Sequence, residues 1–253
     1  MDLLFDLGNS RLKWAGWEQG DLIQPAAAAW RGRQPAEFCS SVLAAALFLQ
    51  PPRRVAIAAV ARGDVLSALK TAVRARWGIE AWLAVPTARC GRVRNGYSDP
   101  AQLGFDRWAA LVGAWERRPD TPAIVVDCGS AVTVDGLRAD GQHLGGVIFP
   151  GLDLMAEAFY ARTGLAGGQA AGGRDVAATS TADAVAAGAY MAVLGGIEHA
   201  VRTLCQRLPG SEIWLTGGDA SALASVLSLP ATVQLAPDLV LEGLGQILAR
   251  EGQ

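Results

Sequence analysis

Apolar runs of strand length and amphipathic stretches of helix length alternate along the whole chain. Leu3–Leu7 is an apolar run interrupted by Asp6; a turn of Gly8, Asn9 and Ser10 follows, and then a second strand carrying Lys13. Asp21–Trp30 predicts a third strand, entered through the polar turn Glu18–Asp21. Pro35 marks a helix start, Ala36–Leu49 has helical composition, and Pro51 and Pro52 end it. Arg54–Val60 reads as a buried strand, Asp64–Trp77 as a helix stopping at Gly78, and Glu80–Val85 as a further strand closed by Pro86. Three strands followed by αβαβ alternation imply a mixed sheet with helices on its faces.

Residues 87–102 are dense in Arg, Gly, Asn, Asp and Pro, which predicts an excursion from the sheet of the kind that carries binding groups. Leu103–Trp115 then has helical periodicity, with Asp106 and Arg107 near its start. An aspartate there caps amides and opposes the helix dipole, whereas Arg107 heads a face whose apolar residues predict burial. Polar Glu116–Thr121 sets the domain boundary, giving halves 1–117 and 118–253. Past it come an Asp127 hairpin, a turn over Leu137–Gln142, a glycine-bearing strand to Pro150 and a helix over Leu152–Arg162. Ala166–Ala178, rich in glycine and alanine, is expected to form a mobile loop, and Ser180–Asp183 to start a long helix reaching Leu208. Ile213–Thr216 is a short strand running into Gly217 and Gly218; a helix to Leu227, a strand over Thr232–Leu235 and a helix over Leu239–Arg250 complete the pattern.

One piece of grammar occurs twice. Asp6-Leu7-Gly8-Asn9-Ser10 and Asp127-Cys128-Gly129-Ser130 each end an apolar strand in an acid, a glycine turn and a hydroxyl, about half a chain length apart. This repetition predicts a duplicated α/β fold with a ligand cleft between the halves. Two facing carboxylates repel unless a divalent cation and a polyphosphate lie between them. Gly8 admits an anion close to the backbone, and Asn9, Ser10 and Lys13 supply donors for phosphoryl oxygens. Phosphoryl transfer asks mainly for such positioning and charge neutralisation. The chain has no GxxxxGK[ST] loop, no HRD or DFG signature and no GxSxG elbow, which excludes P-loop, protein kinase and α/β-hydrolase readings.

Composition narrows the rest. With 51% hydrophobic and 18% charged residues in 253, the chain is an ordinary globular protein. Its net charge of −2 without a lysine or arginine block argues against nucleic acid as partner. Uncharged runs stop short of the roughly 20 residues a spanning helix needs, and the first residues lack the character of an export signal, so no membrane role is expected. Cys39, Cys90, Cys128 and Cys205 are scattered and only two histidines are present, which disfavours structural zinc and suits free thiols in a cytoplasmic location.

Four motifs together carry a resemblance. Asp6–Ser10 with Lys13 and Trp14, Gly104–Trp108, Asp127–Ala131 with Thr133 and Asp135, and Gly145–Gly151 stand in the order and spacing of type III pantothenate kinases, including Bvg accessory factor-like members. The chain resembles that family from first residue to last. The resemblance implies the sugar kinase, Hsp70 and actin superfamily, with duplicated actin-like (ribonuclease H-like) βββαβαβα domains. It also implies ATP-dependent phosphorylation of pantothenate to 4'-phosphopantothenate, the first step of coenzyme A biosynthesis, with Mg2+ and a monovalent cation, K+ or NH4+. Carried over by position, Asp6, Leu7, Gly8, Asn9, Ser10, Arg11, Leu12 and Lys13 line the ATP phosphates, and Ser130 also contacts ATP. Asp127 corresponds to the monovalent-cation site and Asp106 to the general base. Tyr97, Gly104, Phe105 and Arg107 surround the substrate, Thr181 matches a substrate-contacting threonine, and the family state is a homodimer. Ser10 and Ser130 stand where threonine is common, keeping the hydroxyl without the methyl that stiffens χ1. The alternatives are a non-catalytic, nucleotide-binding accessory protein on the same scaffold, or a kinase of the superfamily acting on another small molecule.

Overall fold

A computed structural model of the chain describes residues 1–45, 51–60, 63–165 and 174–251. In chain order the elements are β1 (Asp2–Leu7), β2 (Arg11–Glu18), β3 (Asp21–Ala29), α1 (Pro35–Ala45), β4 (Val55–Ala59), α2 (Asp64–Trp77), β5 (Trp82–Leu83), β6 (Arg89–Cys90), β7 (Val93–Arg94), a 3-10 turn (Pro100–Gln102) and α3 (Phe105–Arg117). There follow β8 (Ala123–Cys128), β9 (Ala131–Leu137), β10 (His143–Pro150), α4 (Leu152–Thr163), α5 (Thr181–Arg207), β11 (Glu212–Thr216), α6 (Ala220–Ala224), β12 (Val233–Leu235) and α7 (Leu239–Arg250). The chain forms two compact units, one of Met1–Asp120, Asp140–His143 and Asp238–Gln253, the other of Thr121–Ala139 and Leu144–Pro237.

The first unit holds a five-stranded sheet in the order β3-β2-β1-β4-β5, antiparallel from β1 to β3 and parallel from β1 to β5. Alternation along β1 assigns its two faces. Leu3, Phe5 and Leu7 join Phe38, Val42 and Leu43 of α1 and Val65, Leu69 and Val73 of α2 in one core. Asp2, Leu4 and Asp6 take the other face, against which α7 packs. α2 stops where sequence predicts: Gly78 adopts φ 68° and its N–H closes on the Arg74 carbonyl at 2.8 Å. The helix expected over Ala36–Leu49 is seen as α1, and its last residues lie outside the described ones.

α7 docks on α3 through glycines. A Cβ built on Gly243 would overlap the Ala109 carbonyl, and one on Gly113 would fall 2.6 Å from the Leu239 carbonyl, so the two backbones meet with no side chain between them. Arg54 ties the far end, with Nη2 2.6 Å from the buried Asp2 carboxylate and Nη1 donating to the Leu248 carbonyl at 3.2 Å. The excursion expected over residues 87–102 contains the β6–β7 hairpin and the 3-10 turn. It is tied to residues 140–143 by the Arg94 N–H to Gly141 carbonyl bond at 2.8 Å and by Arg94 Nε to Gln142 Oε1 at 3.0 Å.

The second unit repeats the plan with the order β10-β9-β8-β11-β12, β8–β9 antiparallel and β8, β11 and β12 parallel. Ile124, Val126, Val132 and Val134 pack against Val193, Ile197 and Val201 of α5. By length and composition α5 would suffice to cross a membrane, yet this stripe is buried in the unit's own core. Ser180 caps it, accepting the Asp183 N–H at 3.1 Å and meeting the Asp183 carboxylate at 2.7 Å. Two elements are shorter than sequence predicts. β5 pairs only with Ala56 and Ile57, and α6 ends at Ser225, whose hydroxyl turns back to the Ala222 carbonyl at 3.0 Å and competes with further helix. The glycine-rich stretch Ala166–Ala178 falls mostly outside the described residues.

Candidate active site

Asp6, the last residue but one of β1, lies opposite Lys13 of β2 and beside Ala58 of β4. Withdrawal from water pushes its carboxyl from 3.8 up to about 6; Lys13 opposes the shift and the Asp106 carboxylate adds to it. Two of the residues singled out from sequence, Lys13 and Asp106, therefore act on a third, Asp6. The turn that follows is tightly closed. Gly8 N–H donates to the Arg11 carbonyl at 3.0 Å, the Trp30 indole donates to the Gly8 carbonyl at 2.9 Å, and the Trp30 backbone N–H donates to the Ser10 carbonyl at 3.1 Å. Asn9 and Arg11 are exposed at its tip, while the side chains of Leu7 and Leu12 are buried in the core, so these two positions offer main chain to a ligand.

Asp106 stands in the first turn of α3 with Oδ1 accepting the Arg107 N–H at 2.8 Å. A Cβ on Gly104 would sit 2.6 Å from that oxygen, so glycine makes room for the carboxylate. Phe105 is buried and anchors the turn. Arg107 is only 5% exposed, a costly place for a charge unless its donors are used. Its Nη1 donates to the Tyr97 hydroxyl at 2.8 Å, and the guanidinium carbon lies 5.6 Å from the Tyr97 ring centre. Tyr97 is held in turn: its N–H donates to Asn95 Oδ1 at 3.0 Å, and its ring stacks on His143 with centroids 6.0 Å apart and planes 12° from parallel. Gly96 leaves no room for a Cβ against the His143 carbonyl, and its N–H reaches His143 Nδ1 at 3.4 Å.

In the second unit Asp127, the last residue but one of β8, lies opposite Thr133 and beside Thr216. Its carboxylate is wedged between two glycine turns. A Cβ on Gly217, whose φ is +95°, would collide with Asp127 Oδ1, and one on Gly129 would sit 3.3 Å from it. Burial first, and then the charges of Asp127 and Asp219, push the neighbouring Cys128 thiol up to about 12. Ser130 lies in the hairpin turn, its carbonyl accepting the Gly151 N–H at 2.9 Å. Thr181 is exposed at the start of α5 and borders a groove of about 430 Å³ with Met155, Phe159, Val185, Gly188 and Ala189.

Trp30, Asn95 and His143 join these clusters although sequence reading assigned them no role. Asn95-Gly96 is a turn signal directly before Tyr97, and it was the available hint. Trp30 follows a run of alanines and looks like an ordinary strand end, and His143 gives no local sign of its stacking partner.

Comparison with known proteins follows the same lines. A family model described as type III pantothenate kinase matches residues 2–203. The type III pantothenate kinase of Alkalilimnicola ehrlichii is 40% identical over 255 residues, covering 98% of both chains, and that of Halorhodospira halophila is 38% identical, covering 96% of both. Among solved structures, a Campylobacter jejuni protein of the Baf family superposes with a TM-score of 0.54 at 22% identity, over 98% of this chain and 97% of that one. The activator of 2-hydroxyisocaproyl-CoA dehydratase from Clostridium difficile, solved with bound ADPNP, gives 0.54 at 12% identity, over 98% and 93%. These two likenesses are of fold alone.

Proposed function

The chain belongs to the type III pantothenate kinase family, and on that premise we propose that it moves the γ-phosphoryl group of ATP onto the primary alcohol of pantothenate. The product is 4'-phosphopantothenate, at the entry to coenzyme A biosynthesis. Beyond the family itself, one observation carries the reading: Asp6, Lys13 and Asp106 share one electrostatic neighbourhood beside a glycine turn. That is the arrangement a phosphoryl acceptor and donor need.

The turn Gly8–Lys13 receives the phosphates. Asp6, short of water, gains from a cation, and an oxygen ligand of this kind suits magnesium arriving on the nucleotide, which when bound would neutralise phosphoryl charge. Asp106 takes the proton of the pantothenate hydroxyl as that oxygen attacks the γ-phosphorus; the bond from the γ-phosphorus to the bridging oxygen breaks and ADP leaves with the electron pair. Arg107, steadied by Tyr97, presents positive charge suited to the carboxylate of pantothenate, with Gly104 and Phe105 shaping the contact. Ser130 is assigned to ATP. Asp127, a carboxylate oxygen donor with Asp219 nearby, is assigned to a monovalent cation, K+ or NH4+. Thr181 is assigned to substrate.

A homodimer is part of the proposal. Val147 and Ile148 on β10, Phe159 on α4 and Met191 on α5 are large apolar residues left exposed, the kind of surface a second copy covers. The four cysteines are unpaired, which suits a cytoplasmic setting.

The test is ADP release measured with and without pantothenate, in potassium and again in sodium. Pantothenate-dependent release that is faster in potassium is expected. Nucleotide binding without pantothenate-dependent release would favour the accessory-protein reading instead.

A further inference from the structure

We propose that Trp30 is a positioning residue for the nucleotide, acting through the turn Gly8–Arg11; this rests on the reading of that turn as the phosphate site. A turn that receives an anion must present N–H groups and keep carbonyl oxygens away, because a lone pair facing a phosphoryl oxygen repels it. Here the carbonyl oxygens of Gly8, Ser10 and Arg11 each accept a hydrogen bond from the chain itself. The Arg11 carbonyl takes the Gly8 N–H, the Ser10 carbonyl takes the Trp30 backbone N–H at 3.1 Å, and the Gly8 carbonyl takes the Trp30 indole N–H at 2.9 Å.

Trp30 thus grips the carbonyls on either side of Asn9, at the tip of the turn. It can do so rigidly because it follows Ala29, the β3 partner of Arg11, and because its ring packs on the core formed by β1, β2, α1 and α2. Without the indole donor the Gly8 carbonyl loses its partner and the peptide between Gly8 and Asn9 is released to rotate towards the ligand. Phenylalanine and tyrosine fill similar space but carry no donor at the indole position, so the role needs tryptophan.

The test compares Trp30→Phe with Trp77→Phe. Trp77, the last residue of α2, packs against the same core, and its replacement reports the structural cost of losing an indole. Binding of ADP and of a non-hydrolysable ATP analogue is measured by calorimetry, together with the KM for ATP, the KM for pantothenate, and the melting temperature. Trp30→Phe should weaken nucleotide binding and raise the ATP KM about three- to tenfold, the loss expected for one hydrogen bond, while the pantothenate KM stays unchanged. Trp77→Phe should leave nucleotide affinity alone. Unchanged nucleotide affinity in Trp30→Phe, or an equal loss in both variants that follows their melting temperatures, would overturn the proposal. Failure of the wild type to bind nucleotide would instead remove the phosphate-site reading beneath it.

Discussion

Replacing Asp6 by asparagine should make the protein more stable while abolishing its activity. Asp6 has its carboxyl raised from 3.8 to about 6, chiefly because burial removes water from the charged form. The sign follows directly. Between those two values the folded protein holds a proton that the unfolded chain has released, so stability falls as pH rises through this window, and the whole deficit is present above it. A shift of about 2 units at 1.36 kcal/mol each is roughly 3 kcal/mol; partial solvent access at the strand end and the lost attraction to Lys13 reduce the gain to roughly 1–3 kcal/mol. Urea unfolding of wild type and Asp6→Asn at several pH values between 4 and 8 measures it. The variant's advantage should be small near pH 4, grow towards pH 6 and then level off, while Mg-ATP should stabilise the wild type and not the variant. A variant less stable than wild type at pH 7.5, or a difference that ignores pH, would refute the claim that this acid is held at a cost to the fold.

Gly104→Ala forces the Asp106 carboxylate off its present position, so kcat should fall by up to about 10²-fold with the ATP KM unchanged, as read by steady-state kinetics. Gly243→Ala drives a methyl group into the Ala109 carbonyl and should cost about 1–3 kcal/mol in denaturant unfolding, more than the same change at exposed, uncrowded Gly210 with its φ of +76° corrected for backbone strain. Tyr97→Phe removes the hydroxyl that accepts from Arg107 and should raise the pantothenate KM about three- to tenfold without moving the ATP KM.

Strands and helices governed by local pattern were legible in the sequence. α2 and α7 begin and end where their periodicity and flanking residues put them, and the Asp6 and Asp127 hairpins pair as the repeated motif implies. What escaped was set by partners distant in the chain. The attachment of α7 to α3 depends on Gly113 and Gly243 meeting across well over a hundred residues, and neither glycine differs locally from one that merely tolerates a helix. The same holds within the site: Asp106 and Arg107 stood out because they open an apolar helix, but Trp30 and His143 act through bonds to residues 22 and 47 positions away. α6 fell short of Leu227 because a serine hydroxyl at its end competes for a helix carbonyl, a local effect that composition alone underweights.

The central claim, that Asp106 deprotonates a pantothenate hydroxyl under attack on ATP, is tested most directly by phosphorus NMR of the products made by wild type and by Asp106→Asn. Wild type should convert ATP and pantothenate into ADP and a new phosphomonoester, and the variant should bind ATP as tightly yet form that monoester about 10²–10⁴ times more slowly. An Asp106→Asn protein that makes the monoester at the wild-type rate, or a wild type that makes none, would contradict the account.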